Sequence, residues 1–276
     1  MKAHLLWHAL KDGSVPLAYP ASGAEVDKAR ARQRFLAPIL ASAHKFEAEF
    51  AGLLDDDALD ETATELWRAG VLKPPFDDCY FEISGPPSSP YREGVLVRRQ
   101  ESGRVEGEFF VYRGETWIDP GFTWFTDYGA MPSEGALPHA PPSAFGDWDS
   151  IFFNEALVFS IKHVIDLCCV MGTKHAALEH VPAPERLNAQ RADKGRPPLF
   201  EYRILTIDMA SAERAEGEGT HASPRLHWRR GHVRSLEDGR KIAIKPCLVG
   251  VADRGVISKD YRVAAPAGKK DETPNG

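Results

Sequence analysis

Cysteine is scarce in this chain, with four residues in 276: Cys79, Cys168, Cys169 and Cys247. Their scattered spacing lacks the paired pattern of a structural zinc site and the dense framework of a disulfide-stapled secreted domain. Cys168 and Cys169 stand in an apolar run, where cysteine behaves as a small hydrophobe. This usage points to a reducing compartment, and the expected location is cytoplasmic. Long apolar stretches are missing as well. None reaches the length of a membrane span, and residues 1–8 lack the apolar core of a signal peptide, so no membrane partner is expected. Also absent are a G-x-G-x-x-G strand-to-helix turn, a P-loop, an H-E-x-x-H helix and a G-x-S-x-G elbow. The expectation is therefore no cofactor and no metal.

What is present is a charge asymmetry. Residues 185–262 carry 16 Lys and Arg against 11 Asp and Glu, whereas residues 1–184 carry 16 against 27. The C-terminal part is thus suited to meet an anion. The excess concentrates in residues 224–234, which pack four arginines and two histidines into eleven positions. Residues 225–234 and 240–249 read as extended runs around Asp238-Gly239, a strong short-range hairpin signal. Alternation along the first run puts Trp228, Arg230, His232 and Arg234 on one face and His227, Arg229 and Gly231 on the other. A bulge at Gly231 would exchange the faces beyond it.

Upstream, residues 25–54 carry Phe35, Ile39, Phe46, Phe50 and Leu53 at helical spacing, which predicts a long amphipathic helix kinked or divided at Pro38. Asp55-Asp56-Asp57 offers the cap of a second helix ending near Gly70. Residues 76–84, with Cys79, Phe81 and Ile83 alternating, open a strand series that continues over 94–99, 105–113 and 116–125 as an antiparallel meander. Trp117, Trp124 and Phe125 are expected as core or rim packing for that sheet. Residues 128–146 are rich in Pro, Gly and Ala and read as a linker. Residues 151–181 predict a helix apolar over most of its circumference, hence buried. His175 and His180 lie five apart, not at the i,i+4 spacing of a helical metal pair, and read as structural or capping. Residues 182–198 read as a basic loop, 199–207 as a strand, 211–220 as an acidic segment and 256–263 as a closing strand. The expected fold class is α+β: N-terminal helices plus an antiparallel meander, then a buried long helix packed on a C-terminal antiparallel sheet. The expected division is 1–128, a linker over 129–148, a helix-plus-hairpin unit over 149–265 and a disordered tail over 266–276.

Metal-free cleavage of RNA needs a base for the 2′-hydroxyl, an acid for the leaving oxygen and fixed cations at the phosphorane. Histidine can serve either proton role near neutrality, and arginine grips phosphate with a planar fork. The candidate catalytic residues are therefore His232, His227 and Arg230. The candidate nucleic-acid ligands are Arg225, Arg229, Arg230, Arg234, Arg240, Lys241 and Lys245 on the hairpin, with Arg186 and Arg191 in the basic loop. Three readings stand side by side: a metal-independent ribonuclease centre, phosphate gripping without chemistry, and a structural hairpin anchored by Trp228.

The run Arg225-Leu226-His227-Trp228-Arg229-Arg230-Gly231-His232, followed by a basic hairpin, resembles the C-terminal part of the type V-A anti-CRISPR family. Glu185-Arg186-Leu187-Asn188, Pro198-Leu199-Phe200-Glu201-Tyr202 and Cys79-Tyr80-Phe81-Glu82-Ile83-Ser84 are similar to further segments of that family, in the same order. The resemblance implies a phage or mobile-element protein, acting in the bacterial host cell, that recognises a nascent polypeptide on the translating ribosome and triggers loss of its mRNA. By motif it carries over Arg229, Arg230, Gly231 and His232, and it assigns target recognition to residues 1–128. It implies RNA or the translating ribosome and a nascent polypeptide as partners. The alternative is a phage-encoded protein- or RNA-binding module without catalysis.

Overall fold

Leu6 and Leu10 give the first helix, α1 (Ala3–Asp12), a buried stripe, and Gly13 closes it in the left-handed region at φ 68. The computed structural model describes residues 1–18, 21–49, 56–85, 92–126, 137–138, 150–208, 225–236, 238 and 240–256. Ser22 and Glu25 cap each other's backbone at the start of α2 (Gly23–Ser42), a capping box. The helix expected over 25–54 stops there. Ala43 is extended, and the chain continues as strand β1 (His44–Glu49), with Phe46 and Ala48 on one face and Lys45 and Glu47 on the other. Alternation and helical spacing coincide at Phe46, and burial in the sheet decides the outcome. Phe35, counted in the helical stripe, is 59% exposed, and residues 50–55 lie outside the described part.

Asp56 caps α3 (Asp57–Arg68) by accepting from the Ala58 N–H at 2.9 Å, where the run of aspartates predicts a cap. The meander follows as β2 (Asp78–Ser84), β3 (Arg92–Arg99), β4 (Val105–Arg113), β5 (Thr116–Ile118) and β6 (Phe122–Thr126). The single strand expected over 116–125 is thus broken at residues 119–121. Of the linker expected over 129–148, only β7 (Leu137–Pro138) is described, and it pairs with β6. Helix α4 (Ser150–Met171) ends ten residues before the expected boundary at 181. Past Gly172 and Thr173 the chain becomes β8 (Ala176–Val181). The expected basic loop holds a helix, α5 (Glu185–Asp193), which leads to β9 (Tyr202–Ile207).

The strands form a sheet in the order β7-β6-β4-β3-β2-β1-β9-β8, with β5 beside β4. Pairing is antiparallel except at β1, which runs parallel to both β2 and β9. A helix separates β1 from β2, as a parallel connection requires. One face, through Tyr80, Leu96, Phe110 and Trp117, packs on α1 and α2. The other, through Phe46, Phe81, Val95 and Phe109, packs on α3 and α4. The fold is α+β, with a mixed sheet shared by strands from both ends of the chain. The 211–220 segment, the strand expected over 256–263 beyond Val256, and the tail lie outside the described residues.

Cys79, Cys168 and Cys169 sit in the core between sheet and α4, and none of the four thiols is in a disulfide. Burial pushes the Cys79 and Cys169 thiols up to about 12 and Cys168 well above its ordinary value. Thiolate is the reactive form. A thiol-reactive chromogen at pH 8 is therefore expected to label Cys247 alone in the native protein and all four cysteines after denaturation. Rapid native labelling of more than one would place the α4 cysteines nearer the surface.

Candidate nucleic-acid interface

The expected hairpin exists, but it is broken in the middle. Strands β10 (Arg225–Arg229) and β11 (His232–Ser235) run out, and β12 (Lys241–Ile244) and β13 (Cys247–Val249) return. On either side of Asp238, β11 pairs β12 as a two-stranded ribbon, His232 opposite Ile244 and Arg234 opposite Ile242. At the base, β10 pairs β13 and also β14 (Val251–Val256). Arg230-Gly231 on one limb and Lys245-Pro246 on the other separate the two pieces.

The break exchanges faces at Gly231, as a bulge there predicts. Trp228 is buried, with its ring edge-on to His175 at 5.8 Å, whereas Arg230, His232 and Arg234 are exposed. The expected common face of those four residues is therefore corrected: Leu226 and Trp228 point into the core, and Arg225, His227 and Arg229 share the other side. His175 is structural, since its Nε2 accepts the Leu248 N–H at 3.0 Å.

Helix α3 holds the break in place. The Gly231 N–H donates to Thr62 Oγ1 at 3.0 Å, and the Thr62 hydroxyl donates onward to the Ala58 carbonyl at 2.7 Å. The Val233 N–H donates to Glu65 Oε1 at 2.8 Å. Arg230 bridges Glu61 at 2.8 Å and Glu65 at 3.3 Å. Thr62, Glu61 and Glu65 carry no motif and are not found by reading the hairpin alone. One signal was available: Thr62 places a hydroxyl on the apolar face that Leu59, Ala63 and Leu66 define, and a buried hydroxyl requires a partner.

The other candidates differ in exposure and in the contacts they make. Arg225, Arg229, His232 and Arg234 are exposed; His227 is half-buried. Its Nδ1 lies 2.8 Å from the Arg225 carbonyl, an acceptor, so Nδ1 carries the proton and Nε2 is the basic nitrogen of the neutral ring. Arg240 pairs with Asp238 at 2.6 Å. Lys245 donates to the Gly172 carbonyl just past α4, where a cation suits the helix C-terminus. Lys241 lies on β12. On α5, Arg186 is exposed, while Arg191 donates to the Pro197 carbonyl at 2.7 Å. Asn188 closes the same turn, accepting from Leu199 N–H at 2.7 Å and donating to its carbonyl at 2.8 Å. Among the described residues no group of three or more His, Cys, Asp or Glu could hold a metal, and no helix is long and apolar enough to cross a membrane.

Two of the segments noted in the sequence, around Asn188 and around Leu199, are thus bonded to each other, and the Arg-Arg-Gly-His segment is locked to α3. The class that goes with these signatures is the anti-CRISPR, counter-defence proteins. In particular, residues 45–250 match the AcrVA2-like, anti-CRISPR type V subtype A2 family, and the chain belongs to it. No curated protein and no solved structure matches the chain.

Proposed function

We propose that this protein is a phage-type counter-defence factor that binds a nascent polypeptide during translation in the bacterial cytoplasm and lowers the encoding mRNA. In this reading the outward cations of the hairpin grip RNA. Membership of the anti-CRISPR type V subtype A2 family supports the counter-defence role. The observation that carries the RNA role is the exposed set Arg225, Arg229, Arg234 and His232, borne on a hairpin fastened to α3 through Thr62 and Glu65. Rigidly held cations position a phosphate backbone without reading its sequence. Gripping is favoured over cleavage because Arg230 is engaged by Glu61 and Glu65, and Gly231 divides His227 and His232 between two strand pairs. One observation keeps the ribonuclease reading in play: His227 has the tautomer of a general base at Nε2.

The test has two arms. In cells, target mRNA is measured with and without the target's start codon; depletion is expected only for the translated message, and equal depletion of both would overturn the nascent-chain reading. In vitro, Arg225→Gln, Arg229→Gln and Arg234→Gln are combined, and RNA affinity is followed against salt. The slope of log affinity on log salt is expected to fall by about 2, since each contact with single-stranded phosphate contributes roughly 0.7. An unchanged slope would remove the hairpin from the RNA. RNA cleaved in EDTA by the parent and spared by His227→Ala would replace gripping with catalysis.

A further inference from the structure

The two edges of the large sheet differ. One is β7, two residues long and ending in Pro138, which has no N–H to offer. The other is β8, bonded to β9 on one side. The register decides which of its backbone groups point outward. The Asp208 N–H donates to the His175 carbonyl at 2.7 Å, so residues 175 and 208 form a hydrogen-bonded pair. Such pairs alternate along an antiparallel ladder. Ala177, Glu179 and Val181 therefore bond to β9, while the N–H and C=O of Ala176, Leu178 and His180 point away from it. Among the described residues these outward groups have no hydrogen-bond partner. Residues 177–180 are exposed, with Leu178 at 46%. β8 holds no lysine, proline or bulge, three of the means by which an edge is blunted.

Beside the Val181 end lies an apolar recess of about 280 Å³, lined by Ala3, His4, Val181, Pro182, Phe200 and Tyr202. Burial, with Arg191 and Lys2 nearby, pushes the His4 imidazole down to about 4. The recess thus presents apolar walls and a neutral imidazole, with the Arg191 and Lys2 cations close enough to act on that ring.

We propose that β8 is the docking edge for an extended polypeptide segment, which adds to the sheet as a further strand and sets an apolar side chain in the recess, with an acidic neighbour facing Arg191. A row of alternating N–H and C=O groups is matched by another polypeptide main chain, not by RNA or a closed protein surface. The proposal rests on the polypeptide-binding half of the function proposed above and says where that partner lies. A chain that has not yet folded has its main chain available for such pairing.

The test uses the full chain and short peptides tiled along a type V CRISPR nuclease. The tightest binder is then N-methylated at one backbone position at a time, a change that leaves the protein untouched. Affinity is expected to fall roughly tenfold at every second residue and to hold at the residues between, since each methyl removes one main-chain donor and leaves an acceptor unpaired. Hydrogen exchange is expected to slow at the Leu178 and His180 amides. Leu178→Pro is expected to abolish binding, and Leu178→Thr, which keeps the strand, to retain it. Binding that tolerates N-methylation everywhere, or protection elsewhere on the protein, would overturn the edge. So would the absence of any binding peptide from a chain that still depletes its translated target mRNA, and the functional reading would then survive. Alternating sensitivity in a protein that leaves the mRNA intact would uphold the edge and overturn the mRNA reading.

Discussion

Replacing Gly231 by alanine is expected to cost about 2–4 kcal/mol of folding stability, far more than one methyl group costs on an open hairpin. A Cβ at this position would stand 2.2 Å from the Ile244 carbonyl oxygen, 2.8 Å from Pro246 N and 2.9 Å from the Lys245 carbonyl carbon. All three are backbone atoms of the returning limb, so no flexible side chain can swing aside, and the limbs have to part. Overpacking of this kind costs about 1–3 kcal/mol. Moving the limb also breaks the Gly231 bond to the buried Thr62 hydroxyl, at roughly 1 kcal/mol more. Urea unfolding checks the figure. Thr62→Val serves as companion, because it removes the acceptor without crowding the limbs and is expected to cost about 1–2 kcal/mol. A Gly231→Ala cost below about 1 kcal/mol would mean that the limbs do not approach here as described. The glycine of the Arg-Arg-Gly-His segment is thus explained by close approach, before any chemistry is assigned to its neighbours.

Elements whose signal is local were legible in the sequence. The Asp56 cap, the Cys79-Phe81-Ile83 alternation and the chain reversal at Asp238 each depend on a few neighbouring residues, and each lies where the pattern predicts. Signals with two local solutions misled. Phe46 fits a helical stripe as well as a strand, and only pairing with β2 and β9 selects the strand. In residues 185–193 no side chain is buried, so the apolar periodicity that reveals most helices is absent from α5. The candidate site divides in the same way. The cationic run is visible in one dimension, but its anchors Thr62 and Glu65 lie 169 and 168 residues away from their bonded partners. The sequence alone leaves Arg230 looking like a phosphate ligand because Glu61 and Glu65 come from another element.

A second large effect is expected at Asp119, in the break between β5 and β6. This carboxylate is fully buried and is bonded to Arg32, to Gln33 Nε2 at 3.2 Å and to Gly121 N–H at 2.9 Å. Gln33 in turn joins Val15 through its N–H and carbonyl, at 3.1 and 3.0 Å. Asp119 therefore ties α2 and the segment before it to the sheet. Asp119→Ala leaves the Arg32 guanidinium with one carboxylate, Glu108, and takes one acceptor from the Gln33 amide, which keeps its two bonds to Val15. Removing one partner of a buried ion pair typically costs about 3–5 kcal/mol, and the surviving Glu108 contact puts the expected loss near the lower figure. The loss should be non-additive. Adding Arg32→Met to Asp119→Ala should cost less than the two separate changes together, because the unpaired cation is gone. Additive costs in urea unfolding would show that Arg32 does not depend on Asp119. The position of this anchor bears on function: α1 and α2 precede the family match, which begins at residue 45, while Asp119 lies within it. The shared part of the fold thus holds the helices outside it, and α1 supplies Ala3 and His4 to the recess beside β8. Loosening α1 and α2 through Asp119→Ala is accordingly expected to weaken peptide capture at that edge while leaving RNA binding by the hairpin, on the opposite face of the sheet, unchanged.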